Sequence, residues 1–366
     1  MAKLTRVAKL AVSLAIVAMA MVVIPVQASA AKAPARSTTS KASKQAKPGA
    51  KAPARSTAKK STYSATSARA RRAQLANARA AARVREMRDV QTPRFRVDEF
   101  GREVPDVRAE AAIIYDPATG EVLWENHAQD QRSMASITKV MTALVFLESG
   151  APMSTPVTVQ RSDVSHASTT HLRTGFKLTA DDLLNLLLVG SDNAAARALA
   201  RISPYGSEGF ITKMNEKATE LGLANTRYAD PSGLLAENVS SAYDLARLIA
   251  HASADERVGG IMRQASYTTH SGNTTITARS TNQIVRTGDI DVVGGKTGFI
   301  SRSGYCLATL LRLPQTGQQV AVVVLGAKSN ASRFWETRHL FNWMSTRAKT
   351  VLDGTAQHQQ NHENNE

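Results

Sequence analysis

The sequence predicts an α+β fold in which one antiparallel sheet is flanked by helices. Two strand-like apolar runs, at 111–115 and 121–124, are joined by a Pro/Gly turn and indicate a hairpin. Three further runs lie near the C-terminus, at 292–299, 305–313 and 320–327. Helical patterns fill the stretch between these two groups. Strands at both ends with helices between them favour a single sheet on which the helices pack.

The helices are identified from apolar periodicity and from capping residues. Apolar side chains recur at i, i+3, i+4, i+7 and i+8 within 137–145, which is typical of a helix buried along one stripe. Thr179 and Asp182 form a capping-box-like start of a second helix, and Gly190 ends it. Four more helices are predicted, at 194–201, 210–221, 241–251 and 329–344.

The first 30 residues have the pattern of a Sec-type signal peptide. Basic residues precede an apolar run from Leu10 to Val26, and Ala28-Ser29-Ala30 is a small-residue cleavage site. We therefore predict an exported, periplasmic protein that is cleaved near Ala30. Because the apolar run of about 17 residues reaches the lower limit for crossing a bilayer, an uncleaved anchor is the alternative.

Residues 31–107 are predicted to be a basic, low-complexity and disordered tether. One octet, AKAPARST, occurs at 31–38 and again at 50–57, and residues 31–109 carry 20 Lys and Arg against 6 Asp and Glu. Within it, residues 67–88 have the composition of a transient helix. Nucleic-acid binding is not expected, because an exported protein meets no duplex. The tether is either an inert spacer or an electrostatic contact for anionic envelope polymers.

Residues 108–348 are predicted to form the folded domain, and residues 349–366 a disordered polar tail. The single cysteine, Cys306, excludes an intrachain disulfide, and its apolar surroundings indicate a core position. The histidines form no metal-binding motif, since the pair His358 and His362 lies in the polar tail. Neither a metal nor a cofactor is expected.

Ser136 and Lys139 are the first candidate site residues. They stand three apart at the start of the 137–145 helix, so the hydroxyl and the amine share one face. A neutral amine at this distance can take the hydroxyl proton and activate the serine as a nucleophile. The same Ser-x-x-Lys string occurs at 29–32 and 56–59, so the pair alone could equally be a helix cap and a surface lysine.

Two later motifs complete a constellation. Ser191-Asp192-Asn193 lies in the break between two predicted helices, and Lys296-Thr297-Gly298 lies on a predicted strand. Ser-x-Asn is a weak signal because it recurs at 271–273 and 280–282, whereas Lys-Thr-Gly occurs once. The order, spacing and structural context of the three motifs together make chance a poor explanation.

With these motifs, the chain resembles the penicillin-recognising serine enzymes. Within them it is similar to the low-molecular-mass penicillin-binding proteins, the D-alanyl-D-alanine carboxypeptidases and endopeptidases. The resemblance covers about 108–345 and extends to the stretches 116–120, 226–234 and 296–306. It implies a β-lactamase/transpeptidase-like fold with an all-helical region inserted. It also implies a serine peptidase that acts on peptidoglycan stem peptides and is inhibited by β-lactam antibiotics.

The resemblance implies catalytic roles for four residues. Ser136 would form an acyl-enzyme and Lys139 would be its base, which requires the lysine pKa to fall by about 3 units from 10.4. We expect burial and the charge of Lys296 to lower it. Ser191 would relay a proton to the leaving amine, and Asn193 would bind the peptide.

The third motif is assigned to substrate binding by the same resemblance. Lys296 and Thr297 would receive the terminal carboxylate of the substrate, and Gly298 would let its backbone approach the strand. The N–H groups of Ser136 and Phe299 would form the oxyanion hole. Asp192 would point away and fix its loop.

Three alternatives stay open on the sequence. A serine β-lactamase would need a carboxylate that activates water, but the pattern Glu-x-x-Leu-Asn is absent and the loop around Asp230 is interpreted as structural. An inactive envelope-binding module would not need the intact motifs. A carboxypeptidase would share the site; the motif Phe299-Ile-Ser and the short stretch after Met344 favour the endopeptidase branch.

Overall fold

The computed structural model describes residues 63–363, so the predicted signal peptide and the first part of the tether lie outside the described residues. Strands β1 to β13 are, in order, Phe95–Val97, Glu103–Pro105, Ala111–Tyr115, Val122–Asn126, Arg132–Ser133, Pro156–Thr158, Lys177–Thr179, Val239–Ser240, Ser266–Ser271, Thr274–Arg279, Val292–Ile300, Gly304–Arg312 and Gln319–Ala327. Helices α1 to α10 are Tyr63–Gln91, Thr138–Glu148, Arg161–Val164, Ala180–Val189, Asn193–Ile202, Gly206–Glu220, Ala242–Ala254, Glu256–Met262, Gln283–Thr287 and Asn330–Glu363. A 3-10 turn, Ala135–Ile137, directly precedes α2.

The main sheet has five antiparallel strands in the order β11-β12-β13-β3-β4. The predicted joining of the early hairpin to the three late strands is confirmed, since β13 pairs with β3. The helices α2 to α9 lie in the chain between these two groups of strands. The fold is therefore the α+β architecture with an inserted helical region that the sequence predicts.

The sheet is buried on both faces, which explains why its central strands are apolar without interruption. Alternate side chains of β13 belong to two separate cores, one facing the inserted helices and the other facing α10. The first set is Ala321, Val323 and Leu325; the second is Val320, Val322 and Val324. Lys296 of β11 pairs with Ala308, whose side chain belongs to the core on the helical side. This register turns the lysine toward α2 and α5.

Helix α2 is the centre of the helical region. The sequence predicted one buried stripe, but every residue from Thr138 to Phe146 is buried. The reason is that α4, α5, α6 and α7 all pack against it, which leaves no solvent face. A functional side chain on α2 is consequently held in place on all sides.

The prediction of a disordered tether up to residue 107 is wrong for its second part. Residues 63–91 form α1, and the hairpin of β1 and β2 packs against α10. The ring of Phe95 lies 5.0 Å from that of His339, and His339 Nε2 lies 2.7 Å from the carbonyl oxygen of Arg94. The average composition of residues 31–107 did not indicate that the β1–β2 hairpin packs against α10.

The last helix also differs from the prediction. It was expected to end at Met344, before a disordered tail, but α10 continues to Glu363. Its start is fixed by the buried side chains of Phe334, Leu340 and Phe341. A packed helix then propagates through residues that include no proline, since each added residue costs little once a nucleus exists. Among the described residues, no helix combines the length and apolar character needed to cross a membrane.

Candidate active site

Ser136 and Lys139 are in direct contact, as their spacing predicts. Lys139 Nζ lies 2.9 Å from Ser136 Oγ. Ser136 belongs to the 3-10 turn before α2, and Ala135 beside it has a left-handed φ of 49°. A non-glycine residue in this region is strained and is held there by its surroundings. The turn presents a partly exposed serine directly above a buried lysine.

The surroundings of Lys139 favour its neutral form. The side chain is fully buried, and its amine contacts three uncharged oxygens: Ser136 Oγ, Asn193 Oδ1 at 2.6 Å, and the carbonyl oxygen of Ser232. Burial lowers the pKa of Lys139 to about 7, against the opposing effect of Asp230 and Asp192. This pKa agrees with the predicted fall that Lys139 needs in order to act as a base.

Nearby cations add to the effect of burial. Arg197 lowers the pKa of Lys139, and burial, Lys139 and Arg333 hold the pKa of Lys296 well below its ordinary value. The repulsion between the two lysine amines is mutual, so each favours the neutral form of the other. Burial is the main cause for both lysines.

The Ser191–Asn193 loop brings the second motif to the same amine. Ser191 has a left-handed φ of 57°, which turns the chain sharply between α4 and α5. Asp192 then caps α5 by accepting a hydrogen bond from Ala195 N–H, so its carboxylate points away as predicted. Asn193 is oriented by donating from Nδ2 to the carbonyl oxygen of Ala167 at 2.6 Å.

Lys296 connects the third motif to the second. It is buried on β11, and its amine donates to Ser191 Oγ at 2.8 Å and to the carbonyl oxygen of Thr297 at 2.9 Å. Thr297 is buried on the neighbouring position, and its hydroxyl donates to Thr281 Oγ1 at 2.6 Å. The three motifs therefore meet through two groups of contacts, Ser136–Lys139–Asn193 and Ser191–Lys296, which the short Ser191–Asn193 loop joins.

The structure shows a steric need for glycine at position 298 that the sequence did not indicate. A Cβ at this position would lie 2.6 Å from the carbonyl oxygen of Met134 and 3.2 Å from the backbone nitrogen of Ser136. Gly233 approaches the same turn from the other side, where a Cβ would lie 2.1 Å from the carbonyl oxygen of Ala135. Two glycines thus enclose the turn that carries Ser136. The close approach required of Gly298 is by the protein's own backbone.

Phe299 lies at the solvent edge of the site. Its side chain is 49% exposed, and its ring stacks on Tyr305 with the ring centroids 4.2 Å apart. The ring therefore forms an exposed apolar platform near the end of β11. Its N–H as an oxyanion donor stays a prediction.

The Asp230 loop is a part of the site whose function was missed. The carboxylate of Asp230 accepts hydrogen bonds from the backbone N–H groups of Ser232, Gly233 and Leu235 and from Asn238 Nδ2, and these bonds lower its pKa against the opposing effect of burial. The loop so fixed presents the Ser232 carbonyl to Lys139. The Asp-Pro-Ser-Gly sequence indicated a structured turn, but it did not indicate that this turn contacts Lys139.

Arg333 was also missed. It is buried on α10 and donates from Nη1 to the carbonyl oxygens of Gly298, at 3.0 Å, and Cys306, at 3.2 Å. Burial lowers the pKa of Arg333 to about 10. Its position was invisible in the sequence because it lies in an ordinary helical stretch after the last strand.

The motifs, their order and this geometry are matched by a family of known enzymes. The model of the D-alanyl-D-alanine carboxypeptidase family matches residues 98–329. The chain belongs to this family. It is therefore a serine-type peptidase, as the resemblance of its motifs implied.

Individual members of the family are similar over most of the described fold. The D-alanyl-D-alanine endopeptidase of Escherichia coli (strain K12) is 32% identical over 246 residues, which cover 66% of this chain and 79% of that protein. The endopeptidase of Pseudomonas aeruginosa is 33% identical over 254 residues, 67% of this chain and 80% of its own. The crystal structure of the Streptomyces K15 DD-transpeptidase is 28% identical with a TM-score of 0.61, covering 65% of this chain and 97% of that one.

Proposed function

We propose that this protein is a serine DD-endopeptidase that cleaves D-alanyl bonds in the cross-links between peptidoglycan stem peptides. The observation that carries the proposal is the 2.9 Å contact between Ser136 Oγ and the buried amine of Lys139. A lysine whose pKa lies near 7 is substantially neutral at physiological pH, so it can accept the serine proton.

The proposed reaction uses the contacts of Ser136, Lys139 and Ser191. Ser136 Oγ attacks the carbonyl carbon of a D-alanyl peptide bond while its proton moves to Lys139 Nζ. The C–N bond then breaks, the acyl group stays on Ser136 as an ester, and the leaving amine receives the proton that Lys139 accepted, relayed by the hydroxyl of Ser191, which Lys296 contacts. Water hydrolyses the ester in the second half of the cycle. A penicillin would acylate the same oxygen.

The strand side of the site offers amine donors to the substrate. The amine of Lys296 bonds to a hydroxyl and a carbonyl oxygen, and no carboxylate among the described residues forms an ion pair with it or with Arg333. The pKa of Lys296 is lowered by burial and by neighbouring cations, and a carboxylate bound beside its amine would raise it again and favour the charged form. We assign the terminal carboxylate of the substrate to this side, with Thr297 beside it.

Cleavage of cross-links is favoured over release of single D-alanine residues. The similar proteins of Escherichia coli and Pseudomonas aeruginosa are named endopeptidases. The exposed Phe299 platform leaves the strand edge open, which suits a leaving group that continues into a second stem peptide. Digestion of purified cross-linked and uncross-linked muropeptides tests this choice. Release of D-alanine with the dimers left intact would establish the carboxypeptidase instead.

A β-lactamase is disfavoured by the Asp230 loop. The carboxylate of Asp230 is the acidic group of this loop, and its hydrogen bonds to Ser232, Gly233, Leu235 and Asn238 already occupy both of its oxygens. It has no free oxygen with which to activate a water against an acyl-enzyme. Penicillin should therefore stay attached rather than turn over rapidly.

The site assignment is tested by labelling with a fluorescent penicillin. We expect one label per protein, and none after Ser136→Ala. Ser149→Ala is a matched control, because Ser149 lies at the other end of α2, where its hydroxyl bonds to the carbonyl oxygen of Phe146. Labelling of Ser136→Ala would refute the assignment, whereas loss of label in Ser149→Ala would point to a folding defect.

We also propose an exported location and an anionic partner for the basic N-terminal segment. The arginines Arg69, Arg71, Arg72, Arg79, Arg85 and Arg88 of α1 are all exposed. An exposed cationic helix attracts anionic polymers through a long-range force that salt screens. Sedimentation with isolated cell walls at 50 and 500 mM salt measures it. Salt-independent retention would contradict the electrostatic contact.

A further inference from the structure

The Ser191–Asn193 loop is held by a second segment, residues 165–171, which we call the strap. The carbonyl oxygen of Ala167 accepts from Asn193 Nδ2 at 2.6 Å, and that of Thr169 accepts from the Asn193 backbone N–H at 3.0 Å. His166 and Ser168 in the strap have left-handed φ values of 53° and 49°. Backbone strain of this kind persists only where the surrounding contacts over-determine the conformation. The strap thus fixes both the backbone and the side chain of Asn193.

The strap ends in a contact between His171 and Asp192. The carboxylate of Asp192 accepts from the backbone N–H of His171 at 2.6 Å and from Thr170 Oγ1 at 2.9 Å. The imidazole Nδ1 of His171 lies 3.3 Å from the same carboxylate. The Asp192 side chain is fully buried, whereas that of His171 is 33% exposed. A buried carboxylate is therefore paired with a titratable group that reaches solvent.

We propose that His171 is a positioning residue of the active site, whose positive charge balances Asp192 and thereby keeps Lys139 able to act as a base. The inference rests on the proposed acylation of Ser136 by way of Lys139. Asp192 is adjacent in sequence to Asn193, whose Oδ1 contacts the Lys139 amine at 2.6 Å. His171 thus acts on Lys139 through the charge of Asp192, its own hydrogen-bond partner.

The charges around the two groups give the direction of the effect. Asp192 raises the pKa of Lys139, and the hydrogen bond from His171 to Asp192 raises the pKa of the imidazole above its ordinary value of 6.5. Asp192 is the charged group that acts on the imidazole of His171, and Gly190 also faces it, since a Cβ there would lie 3.1 Å from the ring. An imidazolium at this position offsets the effect of Asp192. The offset is present below pH 6.5 and is lost as the pH rises through the raised pKa of His171.

The experiment measures the acylation rate by a fluorescent penicillin from pH 6 to 9 in wild type and His171→Asn. The Asn amide can donate from the position of Nδ1 but carries no charge, so the hydrogen bond is retained and the charge is removed. We expect the acylation midpoint to rise by about half a pH unit, which makes the variant about threefold slower at pH 6. At pH 9 the two rates should agree, because His171 and Lys139 are then neutral in the wild type.

His166→Asn is the matched control, since His166 lies in the same strap, is exposed and has a φ that asparagine adopts readily. Its pH profile should coincide with that of the wild type. A rate ratio between wild type and His171→Asn that stays constant across the pH range would assign His171 a structural role alone and overturn the proposal. An acylation midpoint that is unchanged in His171→Asn would also overturn the proposal. Failure of the wild type to label at all would instead refute the proposed function.

Discussion

The two walls of the active site are built in different ways. The helical wall carries Ser136, Lys139 and Asn193, and loops supply carbonyl oxygens to two of them, from Ser232 to Lys139 and from Ala167 to Asn193. The strand wall is β11, an edge strand that bears Lys296 and ends in the exposed ring of Phe299. The polar groups of the helical wall are thus paired within the protein, whereas the strand wall has an open edge and a buried amine without a carboxylate partner among the described residues.

We expect this difference to divide the proposed reaction between the two walls. Chemistry needs a fixed distance between nucleophile and base, which a helix buried on all sides provides. Binding of an extended peptide needs an unpaired strand edge, which β11 offers. Variants on the helical wall should therefore affect the rate of acylation, and variants on the strand wall should affect the selection of the substrate.

Lys139→Met should give the largest effect. It removes the base and replaces a buried amine by an apolar side chain of similar length. We expect acylation by penicillin to fall by about 10³-fold, with thermal stability retained or raised, because a buried amine no longer has to be desolvated. Stopped-flow labelling and a melting curve measure both quantities. A loss below tenfold would remove Lys139 from the role of base.

Lys296→Met makes the same exchange on the other wall. Loss of a charge-assisted contact with the substrate carboxylate should reduce peptide cleavage by about 30-fold, expressed mainly in KM. Lys139→Met is its matched comparison, because both lysines are buried and neither is paired with a carboxylate. If both variants lost only kcat, the division of roles between the walls would be wrong.

Gly298→Ala tests the contact between the walls. The added Cβ would meet the carbonyl oxygen of Met134 at 2.6 Å, so the strand or the turn must shift. We expect about 2 kcal/mol of destabilisation and about tenfold slower acylation. Gly260→Ala is the control. It makes the same substitution at a glycine of α8 where the added Cβ meets nothing within 4 Å. Equal behaviour of the two variants would show that the close approach is unimportant.

Asp230→Asn should give the smallest change in rate and a measurable loss of stability. Its carboxylate has a lowered pKa, so its stabilising effect is present above pH 4 and is lost as the pH falls through the lowered value. We expect about 2 kcal/mol of destabilisation at pH 7, shrinking toward pH 3. Urea unfolding at the two pH values measures this. An equal difference at both would mean that the charge contributes nothing.

The sequence predicted the elements whose signals are local. The capping residues Thr179 and Asp182, the Pro/Gly turn of the first hairpin and the spacing of Ser136 and Lys139 all act within a few residues. They gave the fold class and the first contact of the site. Their agreement with the structure reflects rules of helix and turn chemistry that need no knowledge of distant residues.

The parts that were missed depend on contacts between distant segments. Arg333 reaches Gly298 across 35 residues, and Ser232 reaches Lys139 across 93. The anchoring of the 95–105 hairpin depends on His339, which lies far along the chain. Neither periodicity nor composition carries information on such pairs, because the fold brings them together. The full burial of α2 was missed for the same reason.

The two glycines around the Ser136 turn have a mechanical consequence. With no side chain between Gly298 and the Met134–Ser136 backbone, the strand and the turn touch directly, and Gly233 closes the other side. A displacement of β11 toward the turn must therefore push Ser136 with it. The contact of three backbone segments thus sets a lower limit to the distance between a peptide bound on β11 and the attacking oxygen.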